Sequence, residues 1–285
     1  MTNPKIECIA MDMDGTLLQD DQTMDPITMK SLLKAQAQGI MIILATGRDK
    51  GGVDFVSEAL HLEEGNHYIA GVNGQIIYSF AKKEYWVDDV LGEKDAQVIL
   101  HTAKKYGCEA ICFCGYDLYD YVPLRMKLIK KASGLFKGVS RDYGLKQGKR
   151  NFIHIDNPDY EITQDINKCI YIQTAPFFQR HLEQMRSELS AYDLVCVGPT
   201  WIEVMPKGVS KGSAILRIAA ENKIPKENIL CFGDAENDLS MMELIPHSIA
   251  MGNAMDIVKQ KAWQVTDTNM NHGIAKALER YVFQN

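Results

Sequence analysis

No run of apolar residues in this chain is long enough to cross a bilayer. The longest, such as IMIILA at 40–45, fall far short of the roughly 20 residues a membrane-spanning helix needs. Positive charge is not in excess. The 31 Lys and Arg against 37 Asp and Glu leave a net charge of -6. That argues against nucleic acid or an anionic membrane as the main partner, while leaving room for a local basic pocket that holds a small anion. The opening MTNPKIECIAM carries one lysine and no apolar core ahead of a cleavage site, so no secretory signal is read there. The seven cysteines are odd in number and cannot all pair within one chain, which makes a reducing cytoplasm the expected location. Cys108, Cys112 and Cys114 match no zinc spacing. With Ile111 and Phe113 between them, they read as buried, inert thiols on a strand. The seven histidines are scattered, and there is no internal repeat and no low-complexity tract.

What is present is an ordinary globular composition, 46% hydrophobic and 24% charged over 285 residues, enough for two domains. In the first third, short apolar runs alternate with helical patterns. IECIAM (6–11) and IMIILA (40–45) read as strands, and HYIAGVNGQII (67–77) holds a third. A helix is predicted over 26–38, capped by Asp25, with Pro26 in its first turn, Gly39 at its end and Ile27, Leu32, Leu33 and Ala37 on its apolar face. Continuous apolar strands between helices predict a parallel sheet covered on both faces. The middle differs. EYWVDDV, CEAICFC, DLYDYVP, KCIYIQT, DLVCVG and TWIEVMP are strand-like, helical patterns lie at 93–106 and 176–190, and the polar stretch 138–165 suggests no element. After residue 206 the first style returns, with a helix at 210–223 capped by Ser210 and the buried strand NILCFGD (228–234). The expected organisation is a core of 1–82 and 207–285, interrupted by an α+β domain over 83–206.

Four stretches carry polar residues that such a pattern leaves unexplained: DMDGT at 12–16, ATGR at 45–48, VSKG at 209–212 and GDAEND at 233–238. Three of them directly follow predicted buried strands. In an open parallel sheet the carboxyl ends of the strands share one edge, where ligands bind, so Asp12, Thr46 and Asp234 are expected to converge. Asp12, Asp14, Asp234 and Asp238 together would repel one another unless a hard cation with oxygen ligands, Mg2+ by preference, sat among them. Asp238 has a second reading, as a helix cap. Thr46 and Gly47 offer a hydroxyl and an N–H at a helix start, which suits an anion. Lys211 adds a point charge at the end of a helix where a cation is electrostatically misplaced. This set describes a phosphate site, with Asp12 as nucleophile, Asp14 as general acid and base, and Thr46 and Asn237 holding phosphoryl oxygens. Arg48 reads equally as a functional residue, binding substrate or bracing the inserted segment, and as a structural ion pair, and Asn73 in VNGQ reads as a turn residue.

DMDGTLL, TGR, GVSKG and GDAENDLSMM, in this order, resemble the haloacid dehalogenase superfamily, and within it the Cof-type phosphatases with a large α+β cap. NG at 73–74, MGNA at 251–254 and VTDTN at 265–269 fit the same pattern. The resemblance implies an α/β fold with a Rossmann-like, doubly wound parallel sheet core, its first strand central and flanked by those bearing Thr46 and Asp234, and a cap that chooses the substrate. It implies Mg2+ on the Asp12 carboxylate, the Asp14 backbone carbonyl and Asp234. Phosphate is implied against the Met13 backbone, Thr46, Gly47, Lys211 and Asn237. The expected activity is Mg-dependent hydrolysis of a small phosphorylated metabolite, a sugar phosphate or a flavin-pathway phosphate, through an aspartyl-phosphate. The alternatives are a phosphotransferase or phosphomutase using the same intermediate, and a non-enzymatic phosphometabolite sensor. Three departures stand out: Met13 for a more usual leucine, DKGGV after TGR where an aromatic is common, and MNHG at 270–273 for an acidic stretch.

Overall fold

Asp25 shows how local chemistry sets this fold, seen in a computed structural model that describes residues 5–115, 117–132 and 151–284. Strand β1 (Cys8–Met11) leads to helix α1 (Pro26–Ala37), β2 (Met41–Ala45), α2 (Asp54–Ala59), β3 (Tyr68–Gly71), β4 (Ile76–Ser79) and β5 (Glu84–Val87). There follow α3 (Glu93–Tyr106), β6 (Glu109–Cys114), β7 (Asp117–Tyr121), α4 (Leu124–Ala132), β8 (Asn151–Ile155), β9 (Lys168–Ile172), α5 (Ala175–Glu188), β10 (Tyr192–Gly198) and β11 (Trp201–Pro206). The chain then forms α6 (Lys211–Glu221), β12 (Ile229–Gly233), α7 (Leu239–Leu244), β13 (His247–Ala250), α8 (Asp256–Lys261), β14 (Gln264–Val265) and α9 (Gly273–Leu278). Contacts divide it into two units, Met1–Asp88 with Val209–Asn285, and Asp89–Gly208. Among the described residues no helix is long and apolar enough to cross a membrane.

The first unit is built on an eight-stranded sheet in the order β14-β13-β12-β1-β2-β3-β4-β5. It is parallel from β14 through β3. β1, β2 and β12 are buried at every position, as strands must be when both faces are covered. The expected parallel pattern stops at β3. Asn73 takes a left-handed backbone, φ 55, and the chain turns back so that β4 runs antiparallel to β3 and β5 antiparallel to β4. The strand predicted in EYWVDDV therefore does not open the inserted segment. Ring contacts tie it to the first sheet, Tyr85 to Tyr78 with centroids 4.7 Å apart and Trp86 to Tyr68 at 5.9 Å.

The second unit holds a six-stranded sheet, β10-β11-β9-β6-β7-β8, antiparallel except between β7 and β8. Its main core joins Ile99 and Leu100 of α3 and Phe178 and Met185 of α5 to one face of that sheet. Cys108, Cys112 and Cys114 are buried in this core, and burial pushes the thiols of Cys108 and Cys114 up to about 12. The polar stretch 138–165 lies outside the described residues as far as 150, and beyond that it supplies β8.

Helix α1 begins where expected, but its buried stripe is turned. Asp25 accepts from Thr28 N at 2.9 Å and Thr28 Oγ1 at 2.8 Å, and meets His272 Nδ1 at 2.7 Å. These contacts draw Thr28 inward, so the buried positions are Thr28, Leu32 and Ala35, while Ile27 is 53% exposed. The histidine of MNHG thus serves the cap of α1. Burial alone would raise the Asp25 carboxyl, but the Thr28 and His272 contacts outweigh it and hold the pKa below its ordinary value. A lowered carboxyl stabilises above its unfolded-state pKa and loses that contribution as pH falls through the folded value. Asp25→Ala is expected to cost about 1–2 kcal/mol at pH 7. The urea midpoint measures it, and the difference from wild type should shrink at a pH below the carboxyl range.

Candidate active site

The parallel register puts three strand ends on one level. Met11 stands opposite Phe232 on β12 and Leu44 on β2. Asp12 follows directly, its N–H donating to Phe232 O at 3.0 Å, and Thr46 extends β2 by donating to Ala70 O at 2.9 Å. Asp234 is the first residue beyond β12. Each side chain thus leaves a fully buried strand at the carboxyl edge, where backbone pairing ends and a polar group can find other partners.

Asp12 and Lys211 form the centre of the cluster. Lys211 opens α6 after the Ser210 cap, whose side chain accepts from Ser213 N. It is wholly buried, and its Nζ donates to Asp12 Oδ1 at 2.6 Å and to Asp238 Oδ1 at 2.7 Å. Burial favours a neutral amine, but the two carboxylates outweigh burial and raise its pKa. Burial pushes the Asp12 carboxyl up, Lys211 pulls it back, and Asp238 and Asp234 add to the rise. Asp238 is wholly buried too. Its Oδ2 accepts from the backbone N–H groups of Asp234, at 2.8 Å, and Ala235, at 3.0 Å. Asp238 thus ties down the short turn that precedes α7 and, through Lys211, belongs to the charged group.

Asp234 accepts from Thr16 Oγ1 at 2.7 Å. Burial pushes its carboxyl up to about 6. Asp238 and Asp14 reinforce that shift, and the Thr16 hydroxyl and Lys211 oppose it. Gly15 makes the approach possible. Its φ is +79, and a Cβ there would lie 2.5 Å from Asp234 Oδ2. Oxygen atoms of Asp12, Asp234 and Asp238 lie within 4.8 Å of one another. Two buried carboxylates and the half-buried Asp234 facing one ammonium leave an excess of negative charge on hard oxygen donors, a set that fits Mg2+.

The other predicted residues join by a second chain of bonds. Asn73 N donates to Thr46 O at 2.9 Å, and Asn237 Nδ2 donates to Asn73 Oδ1 at 3.1 Å. Gly47 lies against the same amide, its Cβ position 3.3 Å from Asn73 Oδ1. Asn73 is therefore more than the turn residue its Asn-Gly context suggests: its backbone bonds Thr46 and its side chain bonds Asn237. The side chain of Met13 is buried, which leaves its backbone for any ligand contact, so leucine or methionine serves equally there.

Asp14 departs from the cluster. Its carboxylate is half exposed and makes a bidentate pair with Arg48, Nε to Oδ2 at 2.9 Å and Nη2 to Oδ1 at 2.5 Å. Of the two readings of Arg48, the structure contains the ion pair. Thr16 and Asn73 were not singled out as site residues from sequence, although Thr16 stands inside DMDGT. MGNA and VTDTN acquire a physical role. Asn253 Nδ2 donates to Gly15 O at 2.7 Å, Asn269 Nδ2 donates to Leu18 O at 2.9 Å, and Asn269 N donates to Asn253 Oδ1 at 3.1 Å. Together they hold the loop that follows Asp14.

The sequence profile of the haloacid dehalogenase-like hydrolases matches residues 9–278. The chain belongs to this family. The hydrolase is 28% identical over 275 residues to the putative phosphatase YxeH of Bacillus subtilis, covering 96% of this chain and 97% of the relative. It is 26% identical over 292 residues to the 5-amino-6-(5-phospho-D-ribitylamino)uracil phosphatase YcsE of the same organism, covering 97% and 96%. Among solved structures it resembles a haloacid dehalogenase-like hydrolase from Bacteroides thetaiotaomicron, with TM-score 0.73, 25% identity and 97% and 99% of the two chains covered. It also shares the fold of the subclass IIB sugar phosphatase BT4131, with TM-score 0.78, 21% identity and 96% and 98% covered.

The raised carboxyl of Asp234 gives a signed prediction for the hydrolase in EDTA. A carboxyl raised by folding stabilises fully below its unfolded value of 3.8 and loses that contribution as pH rises through about 6. Ionised Asp234 should therefore destabilise the metal-free protein at pH 7. Asp234→Asn is expected to raise stability there by about 2 kcal/mol, and the gain should narrow by roughly 1 kcal/mol at pH 5. Chemical unfolding at the two pH values measures both.

Proposed function

We propose that this hydrolase is a phosphatase that cleaves phosphate monoesters of small soluble metabolites in the cytoplasm. The observation that carries the reading is the wholly buried Lys211, bonded to Asp12 and Asp238 beside Asp234. A nucleophilic carboxylate must meet an anionic ester, and fixed positive charge beside it offsets the repulsion. In this reading an Asp12 oxygen forms a new P–O bond as the ester P–O bond breaks, giving an aspartyl-phosphate. Asp14 gives a proton to the departing alkoxide. It then takes one from the water that attacks phosphorus and frees Asp12 and inorganic phosphate. Thr46, Gly47, Asn237 and the Met13 backbone hold phosphoryl oxygens, and Lys211 holds Asp12 in line. Mg2+ would sit on the Asp12 carboxylate, the Asp14 backbone carbonyl and Asp234, where it supplies Lewis-acid stabilisation of phosphoryl charge.

The proposed substrate class is a phosphorylated sugar or polyol chain, including a flavin-pathway phosphate. It is supported by the names of YcsE and BT4131, both of which point to hydroxyl-rich phosphate esters. The residues gathered at the strand ends would grip the phosphate that all such substrates share. The choice of leaving group is therefore assigned to the inserted segment, as a cap.

Asp12→Asn should fold with an unchanged circular dichroism spectrum and release no phosphate above background from a panel of phosphate esters. Full turnover in that variant would remove the mechanism. Asp14→Asn should slow release from alkyl esters by about 10²–10⁴-fold. Excess EDTA should stop turnover and added Mg2+ restore it, and undiminished release in EDTA would refute the metal's role.

A further inference from the structure

Arg48 is braced from three directions. Beyond its two bonds to Asp14, Nη2 donates to Gln22 Oε1 and Nη1 donates to the Gly52 carbonyl at 3.3 Å. Its stem packs onto Gly52, where a Cβ would lie 3.1 Å from Arg48 Cβ and 3.3 Å from Cδ. The second glycine of DKGGV thus makes room for the arginine. Gln22 reaches it from a tight turn, with φ 67, held by Gln22 N to Gln19 O at 2.9 Å and Gln19 N to Thr23 O at 2.8 Å. A left-handed glutamine is uncommon, and such a conformation persists where surrounding contacts determine it.

Holding a phosphate requires neither Gln22 nor Gly52. What the bracing does is commit both oxygens of Asp14 to one guanidinium. A carboxyl group that passes a proton to a leaving oxygen must turn one of its own oxygens within hydrogen-bond reach of that atom. Here both face Arg48, and the Asp14 side chain is 50% exposed while that of Asp12, two residues earlier, is 6% exposed.

We propose that Gln22 and Gly52 are positioning residues that hold Arg48 in a clamp, and that this clamp parks Asp14 until Arg48 lets go. The proposal rests on the acid–base role proposed above for Asp14. Parked and released arrangements form a two-state element, and turnover of an ester whose leaving group needs a proton scales with the released fraction. An ester whose leaving group departs as a stable anion depends on it less.

Two measurements on the full chain test this. In side-chain NMR of isotope-labelled arginine, Arg48 Nε–Hε should give an exchange-protected signal, assigned by its loss in Arg48→Lys and weakened in Gln22→Ala. A wild-type protein with no protected Arg48 signal overturns the clamp. Steady-state kinetics then compare β-glycerophosphate, whose alkoxide must be protonated, with p-nitrophenyl phosphate, whose phenolate need not be. Gln22→Ala should raise kcat for the alkyl ester about two- to fivefold at unchanged KM, with a smaller change for the aryl ester. Gly52→Ala, whose methyl presses on the arginine stem, should act in the same direction. Gln22→Glu keeps an acceptor and should restore the wild-type ratio of the two kcat values. A ratio that stays constant or falls in Gln22→Ala overturns the parking role. If the wild type releases phosphate from neither ester, the phosphatase reading fails, and the arginine signal alone decides whether the clamp exists.

Discussion

A lysine ammonium with no solvent exposure, bonded to two aspartates, is the interaction around which the first unit is arranged. Removing three charged groups from water is costly, and the attraction among them repays that cost only when the geometry is good and the remaining polar atoms are bonded. Around Lys211 the two bonds are short, at 2.6 and 2.7 Å. Asp238 spends its second oxygen on two backbone N–H groups, and Asp12 hangs from the end of a strand whose register with β2 and β12 is fixed by buried apolar pairs. The ammonium also sits at the start of α6, where the helix dipole opposes a cation. That opposition is overcome by the carboxylates, so the lysine is held by the site and not by its helix.

From this centre the constraint passes outward through short polar bonds. Asp234 is level with Asp12 because β1 and β12 are paired, and Thr16 and Gly15 bring the following loop against it. Asn253 and Asn269 anchor that loop from the far end of the chain. Asn73 does the same for the strand end that carries Thr46, through its backbone on one side and its amide on the other. These contacts span more than two hundred residues of sequence, so a change at the loop ends is felt where the charges meet.

The same logic separates what the two units contribute. The first concentrates charge at one sheet edge, with glycines where backbone and carboxylate must approach closely. The second has its own apolar core, and its buried Lys168 pairs with Glu203 while its buried Asp120 lies 3.0 Å from the exposed His154.

Legible in the sequence were β1, β2 and β12, helices α1 and α6, the cap at Asp25, the buried character of the thiols, and the convergence of Asp12, Thr46 and Asp234. Each follows from local rules, in apolar periodicity, capping chemistry, and the fact that parallel strands end at a shared edge. It also identified Lys211 as misplaced for its helix, which is a local observation too. The place of β5 emerged only from the fold: it pairs as a hairpin with β4, the strand just before it, and the Trp86 ring reaches over to Tyr68 on β3. Only the tertiary structure turned the buried face of α1, through a histidine 247 residues away. It alone gave Asn73 and Thr16 their places and set Asp14 on Arg48. Those outcomes depend on which side chains meet across the fold, and a hydrogen bond between residues far apart in the chain leaves no periodicity or spacing by which one sequence can reveal it.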